Sequence, residues 1–196
     1  MFTGIVAHKG SVVDVADQAG VRRLTFEAGA LAQLEVGDSI AVNGVCLTAV
    51  AVEESTIAVE IVPESLSRSS LGLIRPGDAV NLERPMSAQG RFDGHIVQGH
   101  VDGVGVVSKV VADGEDRRLT IDVPPGLARY IVEKGSISVD GVSLTVSGVG
   151  PGSFEVALIP HTLEVTTLGL RGEGDQVNLE VDIIAKYVER LLKAGS

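Results

Sequence analysis

Apolar and polar residues alternate with a period of two in several short runs of this chain. Ser39-Ile40-Ala41-Val42 and Thr56-Ile57-Ala58-Val59-Glu60-Ile61 are two of them. A strand sends successive side chains to opposite faces, so each run predicts a half-buried β-strand. The runs end on turn residues. Asn43-Gly44 and Asp140-Gly141, each between apolar segments, predict two-residue type I′ hairpins, whose central positions both need positive φ. Short strands at regular spacing predict a small closed barrel. Pro63 to Leu73 and Pro160 to Leu170 lack helical apolar spacing and read as loops with room for one helical turn.

The pattern occurs twice. Arg22-Arg23-Leu24-Thr25 returns as Arg117-Arg118-Leu119-Thr120, an offset of 95. Val42-Asn43-Gly44-Val45-Cys46-Leu47-Thr48 returns as Val139-Asp140-Gly141-Val142-Ser143-Leu144-Thr145, with five of seven positions identical and an offset of 97. The stretch from Arg68 to Glu83 returns from Val165 to Glu180 at the same offset, with nine of sixteen residues shared. A period this long is that of a whole small domain rather than a solenoid unit. The chain therefore reads as two homologous domains, residues 1–86 and 97–184, joined near 84–94.

Only the tail departs from this scheme. Ile183, Ile184, Tyr187, Val188, Leu191 and Leu192 form one stripe of an α-helix over 183–195, with Lys186, Glu189, Arg190 and Lys193 opposite. Such a helix has two uses, as a lid on a barrel end or as a surface for other copies. It lies outside the repeat and has no partner helix in its own chain, which favours self-association.

Composition narrows the function. The 196 residues carry a formal charge of −10, which argues against nucleic acid as a partner. With four Phe, two Tyr and no Trp, stacking platforms for several bases are not expected. Valine occurs 31 times and glycine 24 times, as suits many short strands and tight turns. A single cysteine, Cys46, excludes an intrachain disulfide and fits a reducing, cytoplasmic location. No signal peptide and no apolar run long enough to span a membrane are visible, so no membrane partner is expected.

Few residues stand out chemically. His95 and His100 flank four residues; on a strand they would face opposite ways, and without a nearby Cys or carboxylate at ligand spacing no metal site is expected. Gly99-His100-Val101-Asp102-Gly103-Val104-Gly105 does not spell a dinucleotide fingerprint and reads as a twisted strand with close backbone approach. Cys46 and Ser143 occupy equivalent places, either as small buried strand residues or as polar atoms aimed into a pocket at the barrel rim. No His-Asp pair follows at a triad-like place, which speaks against a hydrolase. The copies also differ: His100 aligns with Ile5 and Lys134 with Gly37, which suggests one pocket equipped for chemistry and one for binding.

Met1-Phe2-Thr3-Gly4-Ile5-Val6, Val42 to Thr48, Gly99-His100-Val101-Asp102, Ile137 to Val146 and Val177-Asn178-Leu179-Glu180 resemble the riboflavin synthases of the α-chain type, over the whole chain. The resemblance implies an all-β fold of two homologous six-stranded antiparallel Greek-key β-barrels plus a C-terminal α-helix, in a homotrimer. It implies dismutation of two 6,7-dimethyl-8-ribityllumazine molecules by transfer of a four-carbon unit, giving riboflavin and a ribitylaminopyrimidine, with no metal and no cofactor. The related lumazine protein is a non-catalytic antenna. It is expected to lack the Gly-His pair, the Cys-Leu-Thr segment and the long terminal helix, all present here.

Carried over by position, the resemblance places an N-terminal pocket at Gly4, Ile5 and Val6, at Cys46, Leu47 and Thr48, and at Glu60, Ile61, Val62, Pro63, Glu64 and Ser65. It places a C-terminal pocket at Gly99, His100 and Val101, at Lys134, at Ser143, Leu144 and Thr145, and at Ile159, Pro160, His161, Thr162, Leu163 and Glu164. His100, Ser143, Cys46 and Lys134 are the catalytic candidates, with Phe2 expected near the ring and Asp182 near the ribityl chain. Each active site would form between the N-terminal barrel of one subunit and the C-terminal barrel of the next. A lumazine synthase shell is a further partner the resemblance leaves open.

Overall fold

The computed structural model describes residues 1–18 and 20–194, so Gly195, the last residue of the expected helix, lies outside the described residues. Strands β1 (His8–Gln18), β2 (Val21–Glu27), β3 (Ser39–Val42), β4 (Val45–Val52), β5 (Thr56–Ile61) and β6 (Ala79–Glu83) form the first sheet. It closes on itself in the order β1-β2-β5-β4-β3-β6, every pair antiparallel. Strands β7 (Gly103–Asp113), β8 (Asp116–Asp122), β9 (Ser136–Val139), β10 (Val142–Gly150), β11 (Ser153–Leu158) and β12 (Gln176–Val181) repeat that order in a second closed barrel.

The two-residue period does the folding. Leu24 and Phe26 of β2 face Val59 and Ile57 of β5 across the ladder, and all four are fully buried. Each such side chain stabilises the barrel by about 1.5–3 kcal/mol on burial. Small closed barrels need strong local bends, and bulges supply them. They fall between Val12 and Asp14 and between Ala49 and Ala51 in barrel 1, and at the equivalent Val107/Lys109 and Val146/Gly148 in barrel 2. The hairpin tips have the positive φ expected of type I′ turns: Asn43 44° and Gly44 76°, Asp140 46° and Gly141 80°.

The two expected loops are more helical than their sequence pattern predicts. Helices α1 (Pro63–Arg68) and α2 (Pro160–Val165) each begin on proline and are followed by a 3-10 turn, at Ser70–Leu73 and Thr167–Leu170. Proline is pre-set for the first helical position. The Ser69 and Thr166 hydroxyls donate to the carbonyls of Ser65 and Thr162, four residues back, and close these short helices. Their brevity hid the helical period.

The hairpin tips hold the barrels together. A Cβ on Gly44 would lie 2.7 Å from the Gly141 nitrogen, so only glycine permits this backbone contact. Around it the buried amides trade bonds across the seam: Asn81 Nδ2 donates to the Asp140 carbonyl at 2.9 Å and Asn178 Nδ2 to the Asn43 carbonyl at 2.8 Å. The amide oxygens of Asn81 and Asn178 accept from the N–H groups of Thr167 and Ser70. One departure from two-fold likeness is Asp140, fully buried and paired with Arg171 at 2.7 Å. Burial raises its pKa, with the guanidinium pulling the other way.

Helix α3 (Ile183–Ala194) follows β12 and turns its polar face to barrel 2. Lys186 Nζ lies 2.6 Å from Asp102 Oδ1, and Glu189 accepts from the Tyr130 hydroxyl and pairs with Arg129. Much of the apolar stripe is left exposed, Tyr187 by 63% and Leu191 by 73%, while Ile184 and Val188 line a cavity of about 450 Å³ against Arg129, Tyr130 and Val132 of barrel 2. The lid arrangement is therefore not what the structure adopts. Among the described residues, no helix is long and apolar enough to cross a membrane.

Candidate functional site

The segments that lead into β1 and β7 do not stay with the barrels they begin. Gly4, at φ 76°, turns its carbonyl to the Ser143 N–H of barrel 2 at 2.7 Å. Gly99, at φ 78°, turns its carbonyl to the Cys46 N–H of barrel 1 at 2.8 Å. A Cβ at either glycine would come within 2.6 Å of the Cys46 or Ser143 Cβ it faces. Val6 accordingly packs on the core of barrel 2 and Val101 on that of barrel 1. The expected grouping is thus corrected. Gly4, Ile5 and Val6 lie with Ser143, whereas Gly99, His100 and Val101 lie with Cys46, because each leader crosses before its strand begins.

Two carboxylates grip these crossing leaders. Glu83, at the end of β6, accepts the N–H of Thr3 at 2.8 Å and of Gly4 at 3.1 Å, together with the Thr3 hydroxyl. Glu180, its counterpart in β12, accepts the N–H of Gln98 at 2.7 Å and of Gly99 and His100 at 2.9 Å. Both are buried, and burial raises their pKa against the lowering effect of those N–H groups.

Around Cys46 the structure forms a cavity of about 160 Å³. Cys46, Glu64, Ser65, Gly99, His100 and Val101 are among its walls. Thr48, two residues along β4 and so on the same face, is exposed, while Leu47 between them points into the core. Ile61 is also core, Val62 caps α1 and Pro63 opens it. Glu60 lies out on the barrel wall, 3.5 Å from Arg23. Phe2 is fully buried against Ala41, Val97 and Cys46, so it backs the pocket rather than offering an open face to a ring.

The equivalent segments of barrel 2 surround Ser143. Ser143 follows the Asp140-Gly141 tip; Thr145 is exposed, and Leu144 packs on the core. Ile159 precedes Pro160 at the start of α2, His161 is exposed, Leu163 packs inward, and Thr162 holds the Thr166 hydroxyl. The Glu164 carbonyl accepts from Lys9 Nζ of barrel 1 at 2.7 Å. Ile5 is exposed beside these elements. Lys134 is exposed too, at φ 65°, where its counterpart Gly37 has φ 99°. A left-handed lysine costs roughly 1–2 kcal/mol, and strain of this kind gathers at functional sites.

One residue beside Ser143, His95, figures in the sequence reading only as a candidate metal ligand. His95 Nδ1 lies 2.7 Å from Ser143 Oγ, and His95 Nε2 is buried with no hydrogen-bond partner among the described residues. Burial lowers the imidazole pKa, and the charge of Asp182 acts in the opposite direction. Ser143 is thus bonded to one imidazole, but no hydrogen bond from that ring to a carboxylate completes a triad among the described residues, in keeping with the sequence expectation. Asp182 itself caps α3, its Oδ1 accepting the Ile184 N–H at 3.0 Å. Residues 95–102 are not the strand the alternation rule assumed; Phe2 and Val97 form only an isolated bridge. His95 therefore takes its direction from the linker, anchored by its N–H on the Thr3 carbonyl.

Two like barrels, each reached at its rim by the leader of the other, define a tandem β-barrel protein. The profile of the lumazine binding domain matches residues 3–85 and again 98–182. The chain belongs to that family, within the branch of the riboflavin synthases. It is 49% identical to the riboflavin synthase of Mycobacterium tuberculosis (strain ATCC 25618 / H37Rv) over 200 residues, covering all of both chains. It is 44% identical to that of Actinobacillus pleuropneumoniae, over 98% of this chain and 90% of the relative. In fold it is similar to LumP complexed with 6,7-dimethyl-8-(1'-D-ribityl) lumazine: TM-score 0.84 at 21% identity, covering 92% of this chain and 99% of the other.

Proposed function

We propose that this chain is the enzyme that forms riboflavin from two molecules of 6,7-dimethyl-8-ribityllumazine. The observation that carries the reading is the pair of equivalent rim sites, one where the Gly99 leader meets Cys46 and the other where the Gly4 leader meets Ser143. A dismutation between two copies of one substrate needs two similar sites. One lumazine gives up four carbons and leaves as the ribitylaminopyrimidinedione; the other gains them and leaves as riboflavin. The halves balance, so no external oxidant enters. Holding two rings in register can contribute about 7–11 kcal/mol relative to free encounter.

The chemistry begins with a proton leaving the 7-methyl group, a carbon acid beside an electron-poor ring, and it needs a base. The Ser143–His95 pair supports a proton relay. With the imidazole kept neutral by burial, the 2.7 Å bond can pass a proton between Nδ1 and Oγ. Cys46 and His100 are among the polar groups lining the other pocket, and Lys134, exposed on the turn beside Val146, is the cation available to an anion forming on the ring.

A cavity of about 160 Å³ is below the roughly 300–1,000 Å³ of a site that encloses its ligand. That supports pockets that work as half-sites, one from each of two subunits. The exposed stripe of Ile184, Tyr187, Val188 and Leu191 supports α3 as the contact that assembles the subunits, as a homotrimer. The test is incubation of the purified chain with the lumazine. Riboflavin and pyrimidinedione should appear in equal amounts, each half the lumazine consumed. Binding without product would make it a carrier; no binding would remove the proposal altogether.

A further inference from the structure

We infer that Glu83 and Glu180 are crosswise positioning residues: each barrel, through a carboxylate near the end of its last strand, sets the rim site of the other barrel. The inference rests on the proposed pockets, but its physical content is independent of the ligand. Glu180 belongs to barrel 2, and what it holds is the Gln98-Gly99-His100 backbone, through three N–H bonds of 2.7–2.9 Å. That backbone passes directly to barrel 1, where the Gly99 carbonyl meets the Cys46 N–H and His100 walls the cavity. Glu83 belongs to barrel 1, and through Thr3 and Gly4 it sets the segment whose carbonyl meets the Ser143 N–H of barrel 2.

The carboxylate is suited to this duty in a way an amide is not. Three N–H donors converge on the two Glu180 oxygens, one on Oε1 and two on Oε2, and each oxygen accepts. A glutamine in its place has one oxygen, and its NH₂ group would face a donor with nothing to accept. Bonds from N–H to an ionised carboxylate are the stronger kind, and a buried N–H left without a partner costs more than the bond contributed. The leader would leave the carboxylate, and the Gly99 contact with Cys46 would open with it.

The only cysteine of the chain lies at that contact, so its thiol reports on the leader directly. The test compares alkylation of Cys46 by a small maleimide in the full-length wild type, in Glu180→Gln and in Glu83→Gln. Glu180→Gln should speed the reaction about tenfold, the factor that the net loss of one charge-assisted bond gives. Glu83→Gln reaches Cys46 only indirectly, through Phe2 beside Thr3, and should raise the rate clearly less than Glu180→Gln does. Riboflavin titration should then show one weakened site in each variant. Glu180→Asp keeps the charge on a shorter arm and should fall between wild type and Gln.

An unchanged thiol rate in a folded Glu180→Gln chain overturns the inference, and so does an equal rise in both variants. If neither Glu180 variant folds, hydrogen exchange of the wild type decides. Protection of the Gln98, Gly99, His100 and Cys46 amides as one group supports the clamp; free exchange of residues 98–100 beside a protected Cys46 overturns it. A crosswise thiol response with no riboflavin bound by any variant would sustain the clamp and defeat the proposed function.

Discussion

Replacing Gly99 by alanine should damage this protein far more than the loss of two hydrogens suggests. Two separable costs add. The first is conformational: a left-handed φ of 78° costs an L-residue about 1–2 kcal/mol. The second is steric: the new Cβ would lie 2.6 Å from the Cys46 Cβ and 2.7 Å from the Cys46 nitrogen. Relieving such overpacking typically costs about 1–3 kcal/mol. The expected total is therefore about 2–5 kcal/mol. Gly126 is the internal control. Its φ is 93° and a Cβ there meets nothing within 4 Å, so Gly126→Ala should lose only the conformational part, about 1–2 kcal/mol. Urea unfolding of both variants, read as midpoint shifts at constant slope, measures the difference. Equal destabilisation would refute the claim that the Gly99 backbone is pressed against β4, and with it the crossing of the leader.

Four further outcomes follow from the geometry. Ser143→Ala and His95→Gln should each lower kcat about 10²–10⁴-fold. In steady-state kinetics with ligand titration, the double variant should be scarcely worse than the poorer single one; a rise in KM alone would make both residues binding contacts. Burial depresses the His95 pKa in the fold, so the stability tied to its neutral form is complete above the unfolded value near 6.5 and is lost as pH falls from there through the folded value. Melting temperatures measured across that range should fall more steeply for the wild type than for His95→Gln, and parallel curves would contradict the assignment. Ending the chain after Asp182 removes α3 and should yield monomers by sedimentation; a trimer that survives would move the subunit contact elsewhere. Residues 1–86 alone should fold and quench riboflavin fluorescence on binding, as a pair in which each Gly4 leader covers the other copy's Cys46, whereas a monomer with full affinity would mean that the pocket needs no leader.

The barrels were legible because the repeat and the two-residue period report the same physics, one buried face per strand. The hairpin tips were legible because Asn-Gly and Asp-Gly accept positive φ where other pairs do not. The pocket grouping was not. Gly4 and Gly99 sit at equivalent places in the repeat, and equivalence in sequence says which segments are kin, not which barrel each one touches. Their contacts with Ser143 and Cys46 depend on a missing Cβ, which is visible only once the two backbones are side by side. His95 was overlooked as a partner of Ser143 for a related reason. It lies in the joint between the copies, where the first copy has no counterpart, so comparison of the repeats could not pick it out. Helix α3 was legible as an element. Its stripe predicted the helix within a residue at its described end, but amphipathicity alone does not tell which face meets its own chain. Here two ion pairs and a tyrosine hydroxyl draw the polar face inward.

The seam between the hairpin tips bears on how such a chain can change over generations. When two separate identical subunits meet about a two-fold axis, every substitution arrives twice, and one that helps a half of the contact must be tolerated by the other. Linking the halves into one polypeptide lifts that constraint. Asn43 and Asp140 stand at equivalent places, as do Ile74 and Arg171, and only the barrel 2 members, Asp140 and Arg171, form an ion pair. Cys46 against Ser143, and Ile5 against His100, are the same freedom exercised at the pockets. A covalent joint of about ten residues thus turns a mirror-bound partnership into one whose members can specialise.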